Sequence, residues 1–258
     1  MLALISPAKT LDYDSDRCGP AQTQPRLLSD SASLIKTLRG YSAKRLGELM
    51  HVSDALATLN RQRFQDWDSP MPVDGTARPA ILAFKGDVYR GLDCDSMTDR
   101  QLTYAQDHLR ILSGLYGILR PLDLMLPYRL EMGIKLKTRR GKDLYAFWGE
   151  RITHLLREDL QACGARFVLN LASAEYFRSV DVSAIGVPVI APAFKERRGG
   201  ELKMITLFAK QARGALAAWV MKKKVKTLAK LKTFSEDGYR FDPEHSTDAV
   251  PLFVRDPQ

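Results

Sequence analysis

The sequence has few cysteines and no long apolar run, and each absence excludes a class of protein. Its 258 residues include three cysteines, Cys18, Cys94 and Cys163, which are far apart and form no CxxC pair. This favours reduced thiols over a disulfide framework or a cysteine metal site. The longest apolar run, 215–221, is too short to cross a bilayer, and no signal-like apolar core precedes Pro7. We therefore expect a cytoplasmic protein without a membrane segment.

Histidines and known catalytic signatures are also scarce. The four histidines, His51, His108, His154 and His245, are widely separated and lack the close spacing of metal-binding helices. No P-loop, GxSxG nucleophile elbow or dinucleotide fingerprint occurs. The sequence therefore predicts neither a metal site nor a cofactor.

Helical and strand patterns alternate along the whole chain without a regular βαβ repeat. Apolar periodicity predicts helices over 31–38, 43–50, 53–64, 99–112, 143–160, 207–224 and 225–231. It predicts strands over 2–6, 81–84, 128–136, 167–171, 187–194, 202–206, 239–241 and 252–254. No linker, low-complexity tract or internal repeat interrupts them. We expect an α/β (α+β) mixed fold in which residues 1–258 form one irregular domain, with a mixed β-sheet flanked by helices.

The segment 112–133 combines glycines, prolines, arginines and tyrosines with an otherwise apolar sequence. Gly114 and Gly117 allow close backbone approach, and the prolines at 121 and 127 restrict the chain around them. This predicts a rigid turn that aims polar groups at a ligand. The alternation that follows predicts a half-buried strand with one charged face. A structural turn with a solvated strand face explains the spacing equally well.

This segment and five others resemble the YaaA family of bacterial peroxide-stress-resistance proteins. The other five are LISPAKTLD at 4–12, AFKGDVY at 83–89, GKDLYAFWG at 141–149, NLAS with EYF at 170–177, and KQARG at 210–214. The resemblance implies a cytosolic protein, induced by hydrogen peroxide, that reduces damage to DNA and proteins by limiting unincorporated iron. It also implies DNA binding, a positively charged cleft, a family-specific α/β fold and a helix-hairpin-helix element.

Positive charge is concentrated in two parts of the chain. Residues 195–232 hold twelve Lys or Arg against Glu196 and Glu201, and so carry all of the net charge of +9. A second excess lies within 110–142, opposed only by Asp123 and Glu131. If folding brings the two together, they form a surface that attracts polyanions. The alternative is a solvated basic face.

Polar side chains that follow predicted strands are candidates for one shared cleft. The expected DNA- or phosphate-binding residues are Lys9, Lys85, Arg120, Arg129, Lys142, Lys210, Arg213 and Ser53. The expected cleft-lining residues are Thr10, Gly86, Ser113, Gly114, Tyr116, Gly117, Tyr128, Asn170, Ser173, Glu175 and Gly214. Tyr116 or Tyr128 could stack on an unpaired base. Plain turns with surface ion pairs are the alternative for each motif taken alone.

The helix-hairpin-helix implied by the resemblance fits best within 43–64. Two short periodic helices are joined there by a tight turn, and Ser53 can cap the second helix. Such hairpins donate backbone N–H groups to a DNA phosphate. His51 and Ser53 replace the two typical glycines, however, and Asp54 adds a negative charge. The segment 111–119 is a competing location, and an ordinary helical hairpin is the structural alternative.

Two functions of different classes follow from these residues. The first is a DNA-binding protein of the peroxide response that binds duplex or distorted DNA largely independently of sequence, and that could assemble on DNA or contact repair proteins. The second is an enzyme acting on a phosphorylated small molecule or a nucleic-acid end. In that enzyme Arg120 and Arg129 would clamp the anion, and Glu131 or Asp87 would be the general base. A third interpretation is a basic scaffold that recruits repair proteins.

Overall fold

The computed structural model describes residues 1–257, which form thirteen strands and eleven α-helices. The strands are Leu2–Ile5 (β1), Thr10–Leu11 (β2), Arg78–Pro79 (β3), Phe84–Lys85 (β4), Leu109–Ser113 (β5), Gly117–Leu119 (β6), Leu124–Met125 (β7), Val168–Asn170 (β8), Val189–Ile190 (β9), Ala193–Arg198 (β10), Glu201–Lys203 (β11), Arg240–Asp242 (β12) and Leu252–Arg255 (β13). The helices are Leu28–Arg39 (α1), Ala43–Met50 (α2), Asp54–Asp66 (α3), Ala80–Ala83 (α4), Asp87–Leu92 (α5), Asp99–His108 (α6), Leu144–Trp148 (α7), Arg151–Ala162 (α8), Ala174–Phe177 (α9), Thr206–Lys223 (α10) and Leu228–Leu231 (α11). The mixed α/β class is confirmed.

A five-stranded sheet of order β6-β5-β1-β8-β9 forms the centre of the molecule. Strand β1 runs parallel to both neighbours, with Ala3 opposite Leu109 of β5 and Leu169 of β8. Only β6 is antiparallel. All four residues of β1 are fully buried, as expected for a parallel strand covered on both faces.

The order of the strands creates a switch point beside β1. The chain passes from β1 to β5 on one side, and after β6 it crosses to β8 on the other side. In open α/β sheets, ligands bind outside the carboxyl ends of the strands where the direction of winding reverses. The gap between the ends of β1 and β8 is that position here.

A second sheet, of order β11-β10-β13-β12, packs around an aromatic cluster. Phe194 stacks on Phe253 at 5.5 Å between ring centroids, and Phe234 meets both rings edge-on. The long helix α10 contacts this sheet through β10 and the central sheet through β1. One continuous hydrophobic core therefore includes residues of both sheets.

Helices α5 and α10 cross in backbone contact. A Cβ atom added to Gly214 would lie 1.8 Å from the Val88 carbonyl oxygen, so no side chain fits there. This contact holds α10 against the segment that follows β4, and so fixes the position of the polar residues on the first turns of α10.

Several element predictions are wrong at defined places. Residues 128–136 form no strand, because their backbone packs across Gly114 and turns at 131–134 instead of joining a ladder. The buried and exposed side chains nevertheless alternate as expected from Tyr128 to Gly133. The predicted helix 99–112 ends at His108, since the next five residues form β5 in the central sheet. The predicted strand 81–84 is mostly helix α4, and Gly149, at φ 49°, divides the predicted helix 143–160.

Candidate functional site

A polar pocket of about 440 Å³ lies outside the carboxyl ends of β1 and β8, at the switch point. The loop after β1, the segment from β4 into α5, the loop after β8 and the first turns of α10 surround it. Its polar and charged lining consists of Ser6, Lys9, Thr10, Lys85, Asp87, Tyr89, Glu131, Ser173, Glu175, Tyr176, Lys210 and Arg213. Gly86 also lines it. Folding therefore brings together ten of the residues that the sequence singled out.

Two serines join the strand ends that form the pocket. The Ser6 hydroxyl donates to the Ser173 hydroxyl at 3.3 Å, and the Ser173 backbone N–H donates to Ser6 Oγ at 2.9 Å. Ser173 also caps α9 by accepting a hydrogen bond from the Tyr176 N–H. The loops after β1 and β8 are therefore fixed relative to each other across 167 residues of sequence.

Three lysines, Lys9, Lys85 and Lys210, stand at the rim of the pocket, and we call them the rim lysines. Their side chains are 67%, 53% and 49% exposed. Lys85 donates to Asp12 at 2.6 Å, and this hydrogen bond is the main cause of the lowered pKa of Asp12 and of the raised pKa of Lys85. Lys210 is only loosely paired, at 3.9 Å from Asp87. The rim is therefore cationic and accessible.

Arg213 is a cation without a protein partner. The residue lines the pocket and is half-buried, and within residues 1–257 its guanidinium forms no hydrogen bond or ion pair. Burial lowers its pKa. A desolvated guanidinium without an anion is unfavourable, so this position favours an anionic ligand.

Glu131 is the most recessed carboxylate of the pocket, with a side chain only 14% exposed. Its Oε1 accepts a hydrogen bond from Arg129 at 3.1 Å and forms an ion pair with Lys9 at 3.2 Å. Its Oε2 is buried and has no hydrogen-bond partner within residues 1–257. Arg129 therefore lies behind Glu131 rather than in the pocket, and acts on the pocket through that carboxylate.

Two further carboxylates lie in the pocket wall. Glu175 accepts a hydrogen bond from the Gly133 backbone N–H at 2.9 Å, which ties the segment after Pro127 to helix α9. Asp87 begins α5 and is 30% exposed, between Arg90 at 4.0 Å and Lys210 at 3.9 Å. The pocket therefore mixes acidic and basic groups.

Besides Arg129, three residues predicted to bind DNA or phosphate and one predicted to line the cleft lie outside the pocket. Arg120 pairs with the fully buried Asp123 at 2.9 Å and donates to the Gln24 carbonyl, so it closes a turn elsewhere. Asn170 accepts a hydrogen bond from the Ala172 N–H and shapes the turn after β8. Lys142 is exposed next to the cap of α7, and Ser53 caps α3.

The glycines and tyrosines of 113–128 lie in the core, which corrects their assignment to a cleft surface. Ser113, Gly114, Tyr116, Gly117 and Tyr128 are all buried. The Tyr116 hydroxyl accepts hydrogen bonds from Trp67 and from Leu126, and the Tyr128 hydroxyl pairs with Ser113 at 2.7 Å. The prediction that Tyr116 or Tyr128 stacks on a base is therefore wrong for this conformation. Gly214, also buried, serves the contact with α5 rather than a phosphate.

Helices α2 and α3 form the predicted helical hairpin. His51, at φ 53°, ends α2, and the Ser53 hydroxyl accepts a hydrogen bond from the Leu56 N–H to begin α3. Gly47 faces the Ala57 methyl, and a Cβ there would lie 3.4 Å from it, in ordinary contact. Binding of DNA by this hairpin stays a prediction.

Sequence reasoning missed the tyrosines of the pocket and one partner of its lysines. Tyr89 donates to the Ser6 carbonyl at 3.2 Å, and burial raises the pKa of both Tyr89 and Tyr176, so both phenols stay protonated. Asp12, which pairs with Lys85, was also missed. Each lies within a motif already noted, in AFKGDVY, EYF or LISPAKTLD. The position of Tyr89, Tyr176 and Asp12 within these motifs is the sequence signal that could have identified them.

Residues 1–257, the part of the chain that the structure describes, contain neither a cluster of metal ligands nor a membrane-spanning helix. No three His, Cys, Asp or Glu side chains there lie close enough to hold a metal ion together. Within the same residues, no helix combines the length and the apolar character needed to cross a bilayer.

Similarity to known proteins covers nearly all of the chain. A family model described as peroxide stress protein YaaA matches residues 1–245. A UPF0246 protein of Saccharophagus degradans is 51% identical over 255 residues, 99% of each chain. A UPF0246 protein of Alcanivorax borkumensis is 50% identical over 258 residues, 100% of each. One from Aliivibrio fischeri strain MJ11 is 47% identical over 258 residues, 100% of this chain and 99% of the relative. The chain therefore belongs to the peroxide stress protein YaaA family, as its motifs predicted.

Proposed function

We propose that this protein acts in the cytosol during peroxide stress by binding DNA largely independently of sequence, with the phosphate backbone held at the pocket rim. In this proposal it protects DNA and proteins from oxidative damage, and its effect on unincorporated iron is indirect. The observation that supports it best is the convergence of the rim lysines and Arg213 from three distant parts of the chain on one opening.

The exposure of the charges favours a polyanion. The side chains of the rim lysines are 49% to 67% exposed, whereas those of Glu131 and Asp87 are 14% and 30% exposed. Glu175 is the exposed carboxylate of the pocket lining. A ligand that approaches from solvent therefore meets three cations and one carboxylate. Glu131 and Asp87 each have a cation within 4.0 Å, which reduces the repulsion that a phosphate would experience from them.

A basic segment, residues 135–142, extends the cationic surface. It contains Lys135, Lys137, Arg139, Arg140 and Lys142, all exposed, and no acidic residue. The segment begins four residues after Glu131 of the pocket. At its other end Arg139 and Arg140 line a second depression of about 430 Å³ together with Lys36. This arrangement supports contact with several phosphates of one backbone.

The test is duplex affinity as a function of salt. We expect the affinity to fall steeply between about 50 and 200 mM salt. The triple variant Lys9→Gln, Lys85→Gln, Lys210→Gln removes three exposed charges and should reduce the slope of log affinity against log salt by about 2.7. Fluorescence anisotropy of a labelled 20-base-pair duplex measures both quantities.

A matched control removes the same charge elsewhere. Arg100, Arg157 and Arg166 are exposed, and none of them lines the pocket. Their triple change to Gln should leave the slope close to the wild-type value. An equal reduction of the salt slope in both triple variants would mean that net charge alone determines duplex affinity. It would contradict a role for the pocket rim.

A second candidate, an enzyme in the same pocket, is favoured by the buried and unpartnered Oε2 of Glu131. In this function Glu131 is the general base, oriented by Arg129 and Lys9, and Arg120 has no part because it lies outside the pocket. Nucleoside monophosphates and 5′-phosphorylated oligonucleotides are incubated with the protein, and mass spectrometry detects products. Glu131→Gln should keep binding and abolish product formation. Product formation that survives in this variant would exclude Glu131 as the base.

A further inference from the structure

We propose that the pocket is a binding site for a phosphomonoester, with Arg213 as the anchor for the phosphate group. The proposal concerns the ligand that enters the pocket, and it does not depend on the binding of a continuous duplex at the rim. It rests on the charges that remain uncompensated inside the pocket, on their position and on the location of the pocket in the fold.

The four cations of the pocket lining differ in how closely a carboxylate pairs with each of them. Lys9 and Lys85 are within 3.2 Å and 2.6 Å of carboxylate oxygens of their own chain. Lys210 is at the limit of pairing, at 3.9 Å, and Arg213 has no partner within residues 1–257. Arg213 and the loosely paired Lys210 are therefore the cations of this pocket most available to an anion, and the exposed Glu175 is the carboxylate of the lining that no cation pairs with within residues 1–257.

The charges of Lys210 and Arg213 lie on the same side of the pocket. Lys210 and Arg213 are three residues apart in α10 and lie on one face of it, where both line the pocket. Gly214 lets α10 pack directly against the backbone of α5 at Val88. The anchor is therefore held by a rigid element rather than by a mobile loop.

A phosphomonoester matches Arg213 and Lys210 in charge and in hydrogen-bonding geometry. A phosphomonoester carries a charge of about −1.5 to −2 at pH 7, whereas a carboxylate or a phosphodiester carries −1. A guanidinium binds phosphate oxygens through two parallel N–H donors, and an ammonium adds a point charge. An arginine and a lysine with little compensation therefore suit a dianion better than a monoanion.

The pocket also has space and polar groups for the part of the ligand that carries the phosphate. The pocket, at about 440 Å³, falls within the range of small-molecule sites and can hold a nucleotide-sized molecule. Ser6, Thr10 and Glu131 provide hydroxyl and carboxylate groups for a sugar or an amine. The same phosphomonoester could belong to a free metabolite or to the terminal phosphate of a broken DNA strand.

Isothermal titration calorimetry with deoxythymidine 5′-monophosphate, and with thymidine as the uncharged control, tests the proposal. The nucleotide should bind and thymidine should not. Arg213→Gln should weaken binding at least about tenfold, because a charge-assisted contact is lost. Lys222→Gln, at the opposite end of α10, is the matched control and should bind like the wild type. If Arg213→Gln fails to fold, Lys210→Gln on the exposed rim serves in its place.

Two oligonucleotides, one with a 5′-phosphate and one with a 5′-hydroxyl, distinguish a DNA end from a free metabolite as the source of the phosphate. Preference for the phosphorylated oligonucleotide without nucleotide binding identifies a DNA end, and tight binding of the nucleotide identifies a metabolite. No binding of either phosphomonoester, or unchanged binding in both Arg213→Gln and Lys210→Gln, would overturn the proposal. Duplex affinity with its salt slope is measured in parallel, so loss of one function leaves the other interpretable.

Discussion

Gly91 and Gly214 occupy reciprocal positions at the crossing of α5 and α10, each against the backbone of the other helix. A Cβ on Gly91 would lie 2.0 Å from the Gln211 carbonyl oxygen, and one on Gly214 would lie 1.8 Å from that of Val88. Both distances are far below any van der Waals contact, and the obstructing atoms are backbone. The two helices can therefore approach this closely only because both positions lack a side chain.

Gly214→Ala should destabilise the protein by about 3 kcal/mol, since the helices must separate to admit one methyl group. The free energy of unfolding in urea measures the loss. Gly40→Ala is the matched control, because Gly40 has φ −75° and its nearest neighbour would be 3.4 Å away. That change should be neutral or slightly stabilising. A Gly214→Ala variant as stable as the wild type would contradict the backbone contact.

Asp159 joins two arginines in a largely buried cluster. Arg110 donates to it at 2.6 Å, and Arg26 donates through two bonds at 3.0 and 2.7 Å. Burial alone would raise the pKa of Asp159, but these hydrogen bonds outweigh burial and lower it. Asp159→Asn leaves the Arg110 charge buried without its counter-charge, so it should cost about 3 kcal/mol at neutral pH.

The same cluster should make stability depend on acid. Because the folded pKa of Asp159 lies below its unfolded value of about 3.9, its contribution is complete above that value. It is lost as the pH falls through the folded pKa. The wild type should therefore lose more stability than Asp159→Asn between about pH 5 and pH 2. Asp107→Asn, at an exposed aspartate, should follow the wild-type curve. Parallel curves for the wild type and Asp159→Asn would contradict this account.

Tyr116 should matter for stability and not for nucleic-acid binding. Its hydroxyl accepts hydrogen bonds from the Trp67 indole and the Leu126 N–H, both at 3.0 Å, in the core. Tyr116→Phe leaves these two donors without an acceptor and should cost about 1–3 kcal/mol. Thermal unfolding measures this cost, and duplex affinity should not change. Tyr41→Phe, in which no such hydrogen bond is lost within residues 1–257, is the control. A selective loss of affinity in Tyr116→Phe would restore a role in base stacking.

The cysteines should react with iodoacetamide in an order set by burial. Burial raises the pKa of Cys94 to about 11, so its thiol is protonated and shielded at pH 8. Burial also raises the pKa of the half-buried Cys163, whereas Cys18 is exposed. Mass spectrometry of the native protein should find Cys18 alkylated first and Cys94 last, and denaturation should equalise them. Rapid modification of Cys94 in the native protein would show that its site opens.

Local sequence signals were sufficient where neighbours along the chain determine the structure. Helix α2 covers the predicted residues 43–50, because Ser42 caps it and its apolar residues repeat at helical spacing. The polar residues after β1 and β8 were correctly expected to gather, since parallel strands end at the same edge of a sheet. Lys9 and Ser173 lie together for that reason, whereas Lys85 reaches the same pocket from β4, which pairs with β2.

Long-range packing determines the rest, and periodicity cannot report it. The alternation after Pro127 is typical of a strand, yet no neighbouring strand is available and the Glu175 carboxylate accepts the Gly133 N–H instead. Arg120 and Lys85 look equally suited to bind phosphate in the sequence. Only the fold shows that Arg120 is bound to Asp123 while Lys85 stands at the rim.

The length of α10, eighteen residues, sets a scale for any molecule that contacts both of its ends. Lys210 and Lys222 are twelve residues apart in this one helix, which places them about 18 Å from each other. A nucleotide strand advances 3.4 Å per residue along a duplex, so that interval corresponds to about five steps. A mononucleotide can therefore occupy one end only. A partner that spans both ends must be a polymer, and its minimum length can be read from a series of oligonucleotides.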